Sequence, residues 1–135
     1  MRSLGLDIGD RRIGVALSDP NGVLASPLTI INRTDIDADI AAIIRIITQY
    51  QVGLIIAGLP RTMDGSLGMQ AEKVTAFIDR LASHITIQVE SRDERLTTAA
   101  AKRLMRTAKT KKTKQKTRDD AIAAAIILQG YLDER

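Results

Sequence analysis

The chain has 135 residues, a net charge of +4, 44% hydrophobic residues and 27% charged ones, the size and balance of a single globular domain over residues 1–135. It contains no cysteine, which excludes a disulfide framework and a thiolate metal site. No apolar run reaches the length of a membrane span and the start of the sequence has no signal-peptide core, so a soluble, cytoplasmic protein with no membrane partner is expected.

Leu4, Leu6 and Ile8 alternate with Ser3, Gly5, Asp7 and Gly9, which predicts a strand over 2–9 with two distinct faces. Asp7 falls inside this apolar segment, where an unpaired carboxylate is costly. It either holds a turn or is kept accessible for a metal or a phosphate-bearing ligand; Gly5 and Gly9 leave its flank open. A tight turn at Gly9-Asp10-Arg11 leads to a second strand over 12–19. The turn Asp19-Pro20-Asn21-Gly22 leads to a third over 23–32, and Pro27 makes that strand an edge. Thr34 is expected to cap a helix, with Asp37 three residues on, and Ile36, Ile40, Ile43, Ile44 and Ile47 form its apolar face.

Leu54-Ile55-Ile56-Ala57 reads as a strand buried on both faces, so the meander gives way to a parallel crossover. A loop over 58–66 follows, then a helix carrying Val74, Phe77, Ile78 and Leu81. Ile85-Thr86-Ile87-Gln88-Val89 alternates as a fifth strand and runs into Ser91-Arg92-Asp93-Glu94-Arg95. A third helix is expected from Thr97 or Thr98, carrying Leu104, Met105 and Ala108. Asp119 or Asp120 can cap a last, alanine-rich helix ending near Tyr131.

The element order βββαβαβαα predicts an α/β fold with a five-stranded mixed sheet, three antiparallel strands followed by two parallel ones, and helices on both faces. Ligands of such sheets gather at the carboxyl ends of the strands. Three acidic positions converge there: Asp7, Asp93 or Glu94, and Asp119 or Asp120. Two carboxylates about 4 Å apart repel by roughly 4 kcal/mol at an effective dielectric near 20, so the cluster calls for a bound cation or a proton. Oxygen-only ligands favour Mg²⁺ or Mn²⁺, and a pair of such ions suits phosphodiester hydrolysis. The plainer alternative is a set of helix caps and surface ion pairs.

Charge is unevenly spread. Residues 102–118 hold nine Lys and Arg and no acid, leaving eleven basic against sixteen acidic residues elsewhere, a net of −5. Such asymmetry points to a polyanionic partner. Residues 109–118 have nothing apolar to bury and are expected to form a mobile loop or frayed helix end. Lys109, Lys111, Lys112, Lys114, Lys116 and Arg118 would track phosphates beside Asp120. Arg12, Arg61 and Arg95 sit in loops at the same edge and suit phosphate contacts, or pairing with Asp10, Asp93 or Glu94. Tyr50, Phe77 and Tyr131 are the only aromatics, so no platform exists for stacking single-stranded bases, and structured nucleic acid is the better fit. His84, the lone histidine, reads as a surface or capping residue, and Ser18 and Ser66 lack a base partner for nucleophilic catalysis.

Four segments combine into a recognisable whole: Leu6-Asp7-Ile8-Gly9-Asp10-Arg11-Arg12-Ile13-Gly14-Val15-Ala16, Gly58-Leu59-Pro60-Arg61-Thr62-Met63-Asp64-Gly65-Ser66, Asp93-Glu94-Arg95-Leu96-Thr97-Thr98 and Asp120-Ala121-Ile122-Ala123-Ala124-Ala125-Ile126-Ile127-Leu128. Together they span nearly the whole chain, which resembles the YqgF (RuvX) family of pre-16S ribosomal RNA nucleases, also described as Holliday-junction resolvase-like. The resemblance implies a ribonuclease H-like fold and a metal-dependent hydrolase whose catalytic, metal-binding acids are Asp7, Glu94 and Asp120, with Glu94 favoured over Asp93. It implies processing of the 5′ end of the 16S ribosomal RNA precursor. The alternatives are a resolvase of branched DNA and a non-catalytic RNA-binding assembly factor. Thr62 departs from the family's usual Asn. A sugar-kinase or actin-like ATPase opens with a similar strand and hairpin but needs two such domains. A monomer is expected; cutting a symmetric four-way junction would require a homodimer.

Overall fold

The computed structural model describes residues 1–60, 68–93 and 116–135, with 116–118 described by backbone alone. In chain order these form β1 (Arg2–Ile8), β2 (Arg12–Ser18), β3 (Ala25–Asn32), α1 (Ile36–Tyr50), β4 (Val52–Leu59), α2 (Met69–Ala82), β5 (Gln88–Asp93) and α3 (Lys116–Glu134). The strands make one sheet in the order β3-β2-β1-β4-β5. The pairs β1–β2 and β2–β3 are antiparallel, and β1–β4 and β4–β5 are parallel, the mixed sheet expected from the sequence. The helix expected from Thr97 or Thr98 lies outside the described residues.

Alternation along the strands builds two cores. Leu4 and Leu6 of β1, Ile13 and Val15 of β2 and Ile55 of β4 are fully buried under Ile40 and Ile43 of α1 and Val74, Phe77 and Leu81 of α2. On the opposite face Ala16, Ala25 and Ile56 pack against Ala124, Ala125, Ile127 and Leu128 of α3. The glycines and alanines of that second face, Gly5 and Gly14 among them, let the backbone of α3 lie close to the strands. A methyl group added at Gly5 would meet the Ala124 carbonyl oxygen at 2.7 Å and Leu128 Cβ at 2.8 Å. The space beside Asp7 at Gly5 is therefore filled by a helix, and is not the open flank expected from the sequence.

Several boundaries differ from expectation, each for a local reason. Asp35 caps α1 in place of Thr34, its carboxylate accepting the Ala38 N–H at 2.9 Å. The fifth strand is displaced to 88–93: Ile85 and Ile87 pack on the core, but ladder pairing begins only where Gln88 meets Leu54. Neither Asp119 nor Asp120 caps the last helix, because the helix already runs from Lys116; Asp119 sits in its first turn, where a negative charge is favoured by the helix dipole. Residues 116–118, expected at a loop or frayed end, are helical. Val23 and Leu24 stay exposed in the turn before β3. Pro27 does sit on an edge strand, beside the register shift at Val15/Ala16. Among the described residues no helix is long and apolar enough to cross a membrane.

Candidate active site

Because β1, β4 and β5 run parallel, their carboxyl ends share one edge of the sheet, and the start of β2 lies there too. The direction of α3 brings its amino end to the same edge. Gln129, far along α3, accepts the Ala25 N–H at 2.8 Å and donates to the Val23 carbonyl at 2.9 Å, at the opposite end of the sheet. At the near end the Asp120 backbone covers Gly14: a methyl group there would lie 1.9 Å from the Asp120 carbonyl oxygen. Gly14 is in turn the cross-strand partner of Asp7. Asp7, half-buried on the α3 face of β1, and Asp120 are thus brought to one corner by a single glycine contact.

Arg12 opens β2 at this corner. Its Nε donates to Asp120 Oδ2 at 2.6 Å, with both side chains about a third exposed (31% and 30%). The sequence suggested Asp10, Asp93 or Glu94 as partners for such an arginine; the partner is Asp120. Asp10 instead lies 3.8 Å from Lys73 Nζ, both exposed. The short charge-assisted bond sets the orientation of the Asp120 carboxylate and offsets part of the repulsion between two acids at one edge.

The third acid is constrained by register. Val89 pairs with Ile55 and Asp93 with Leu59, and Val89 packs into the α1/α2 core. Alternation places Asp93 on that same face, away from Asp7. Arg92 points the other way, bonding Glu134 of α3 through Nη1 at 2.9 Å. Glu94, Arg61, Arg95, Lys109, Lys111, Lys112 and Lys114 lie outside the described residues. Lys116 and Arg118 belong by their backbone to the first turn of α3, at the edge that holds Asp120. Among the described residues no three His, Asp or Glu side chains form a metal cluster.

Of the minor candidates, Ser66 lies outside the described residues. His84 is exposed, its Nδ1 2.8 Å from the Arg80 carbonyl oxygen after α2. Ser18 is buried and structural, its Oγ accepting the Ser3 N–H at 2.8 Å. One partly buried ion pair near the β1–β2 turn was not foreseen from the sequence. Arg33 Nε donates to Asp39 Oδ2 at 2.9 Å, and Asp39 is only 2% exposed. The signal was present: Asp39 lies three residues after Ile36 and four before Ile43, in the apolar stripe of α1.

Comparison with known proteins identifies the family and the fold. The family model described as "RuvX: Holliday junction resolvase" matches residues 1–134. A protein of Clostridium botulinum (strain Hall) named "Putative pre-16S rRNA nuclease" is 49% identical over 133 residues, covering 98% of this chain and 97% of its own. One of the same name from Desulforudis audaxviator is 47% identical over 135 residues, covering 100% and 96%. Among solved structures, T. thermophilus RuvC in complex with a Holliday junction superposes with a TM-score of 0.64 at 11% identity over 99% of this chain and 96% of that one. The Fowlpox virus resolvase bound to junction DNA gives 0.61 at 15% identity over 99% and 98%. The fold is that of the RuvC-type, ribonuclease H-like nucleases. Matched from end to end by the RuvX model and close to half identical to these relatives, the chain belongs to the RuvX (YqgF) family.

Proposed function

We propose that this protein hydrolyses phosphodiester bonds in structured RNA, its substrate being the 5′ region of the 16S ribosomal RNA precursor. The observation that carries the reading is the corner where the Gly14 contact brings Asp7 and Asp120 to one strand edge. The substrate follows from the name borne by relatives at 47–49% identity.

Asp7 and Asp120, with Glu94 one residue beyond β5, would hold Mg²⁺ or Mn²⁺. Their donor set is oxygen alone, which suits a hard divalent ion. Such ions, when bound, activate water and stabilise the leaving oxygen of a phosphodiester. The chain's own residues supply the rest. Arg12 orients Asp120 through Nε, and its remaining donors suit a phosphate oxygen. Lys116 and Arg118 begin α3 at the same edge, and with Arg61, Arg95, Lys109, Lys111, Lys112 and Lys114 they supply positive charge to track the backbone. Five such contacts would give a log–log salt slope of about −4.

The structural likeness to RuvC and the poxvirus enzyme keeps a second reading, cleavage of four-way DNA junctions, which requires two active sites and hence a dimer. The test is cleavage by the purified chain of a 5′-extended 16S precursor and of a four-way DNA junction, each with Mg²⁺, Mn²⁺ or EDTA. Metal-dependent cutting of the RNA supports the proposal, and cutting of the junction alone favours the resolvase. Tight RNA binding without cutting of either substrate would make the chain a non-catalytic assembly factor.

A further inference from the structure

The turn between β1 and β2 carries Asp7 on one side and Arg12 on the other, so its rigidity sets the corner's geometry. None of Gly9, Asp10 and Arg11 has a positive φ, so this hairpin lacks the type I′ or II′ turn that matches the twist of paired strands. Contacts from outside the turn reach it as well. Gly9 N–H donates to the Arg12 carbonyl at 2.9 Å, and the N–H of Arg33, just beyond β3, donates to the Arg11 carbonyl at 2.9 Å. The Arg33 side chain then returns to the same turn, Nη1 donating to the Gly9 carbonyl at 2.8 Å.

The guanidinium is itself fixed from two helices. Its Nε is bonded to Asp39 Oδ2 of α1 at 2.9 Å, while Asp39 Oδ1 accepts the Thr34 N–H at 3.1 Å. Its Cζ stands 4.9 Å from the ring centroid of Phe77 of α2, a cation–π distance. One cation therefore joins the β1–β2 turn to α1 and α2. Asp39 is buried while Arg33 keeps 22% of its side chain exposed, and an ion pair with a buried member is a poor device for stability alone, since apolar residues of similar volume often serve as well. A planar fork that reaches a carboxylate and a carbonyl together is instead a device for fixing position.

We propose that Arg33 is a positioning residue of the nuclease site: through the Gly9 carbonyl it locks the β1–β2 turn, and with it the approach of Asp7 and Arg12 to Asp120. The proposal rests on the reading of Asp7 and Asp120 as site carboxylates. It makes Asp39 and Phe77 supports of the same lock.

The test compares the full chain with Arg33→Lys, Arg33→Met and the double variant Arg33→Met/Asp39→Asn. The double variant leaves no unpaired buried charge and keeps an oxygen for the Thr34 N–H, so it should fold even where Arg33→Met does not. The readouts are kcat and KM for Mn²⁺-dependent cleavage of the 5′-extended precursor or the junction, melting temperature, and amide exchange at Gly9. We expect the double variant to melt near the native temperature, exchange the Gly9 amide faster, and lose roughly 10- to 100-fold in kcat with KM within about twofold. Arg33→Lys should recover stability but not kcat, because an ammonium cannot span Gly9 and Asp39 together. Native kcat in the folded double variant, or kcat recovering in step with stability in Arg33→Lys, would overturn the proposal. Asp7→Asn, run alongside, separates the two levels: cutting indifferent to Asp7→Asn, or no cutting by the native chain, refutes the site reading on which the proposal rests.

Discussion

Gly14→Ala tests the contact that builds the corner. The added Cβ would fall 1.9 Å from the Asp120 carbonyl oxygen, 2.3 Å from its carbonyl carbon and 2.9 Å from the Ala121 nitrogen. Non-bonded heavy atoms settle near ~3.5 Å, so the amino end of α3 must move off β2 by roughly 1.5 Å. The obstacle is helix backbone, which cannot swing aside as a side-chain tip can. Overpacking of this kind costs about 1–3 kcal/mol, which lowers the melting temperature by roughly 5–10 °C for a domain of this size. The displaced residue is Asp120 itself, and a misplacement of about 1 Å costs on the order of 100-fold in rate. Thermal unfolding and single-turnover cleavage measure the two effects. Gly130→Ala is the control in the same helix, since the nearest atoms its Cβ would meet belong to the Arg92 side chain, from 3.0 Å. It should change stability by less than about 1 kcal/mol and leave cleavage intact. A Gly14→Ala protein that melts within about 2 °C of the native chain and cuts at a rate within about twofold of it would contradict this.

Gln51, which ends α1, is held in the left-handed region at φ 55° and ψ 52°, so Gln51→Gly should raise stability by up to about 1 kcal/mol, read as a higher melting temperature. The side-chain bond from Arg92 holds the Glu134 carboxyl below the ordinary glutamate value. Its contribution is therefore complete above that ordinary value and is lost as pH falls through the lower, folded one. The melting-temperature gap between the native chain and Glu134→Gln should be present at pH 7 and shrink below roughly pH 4. Asp19, lowered by the N–H groups of Leu24 and Val23, shifts the same way, so Asp19→Asn should show the same pattern.

What was legible in the sequence follows from how local each signal is. β1, β2 and β4 could be read because their alternation or continuous apolarity extends over whole strands, and α1 because its isoleucines keep one helical phase. β5 was placed about three residues early because burial and ladder pairing part company there: Ile85 and Ile87 touch the core before any strand lies beside them. The caps were misread because adjacent Thr34 and Asp35 compete for one role, and only the backbone decides. Topology was enough to send Asp7 and the Asp119-Asp120 pair to the same edge. It could not show that Gly14 makes the approach of Asp7 and Asp120 feasible, or that Arg12 belongs to Asp120, since both depend on a contact across more than a hundred residues. Arg33 and Asp39 were overlooked because a run reading Asp35-Ile36-Asp37-Ala38-Asp39 looks like a solvated face, although Asp39 is in phase with the buried isoleucines.

In the proposed function, the Asp7 carboxylate supports phosphodiester cleavage. Its most direct test is cleavage of the 5′-extended 16S precursor with Mn²⁺ or Mg²⁺, native chain against Asp7→Asn, with RNA binding measured on both. A nuclease built on Asp7 gives metal-dependent cutting by the native chain, a loss of at least about 100-fold in Asp7→Asn, and binding nearly unchanged. Equal cutting by the two proteins, or binding without cutting by either, would contradict it.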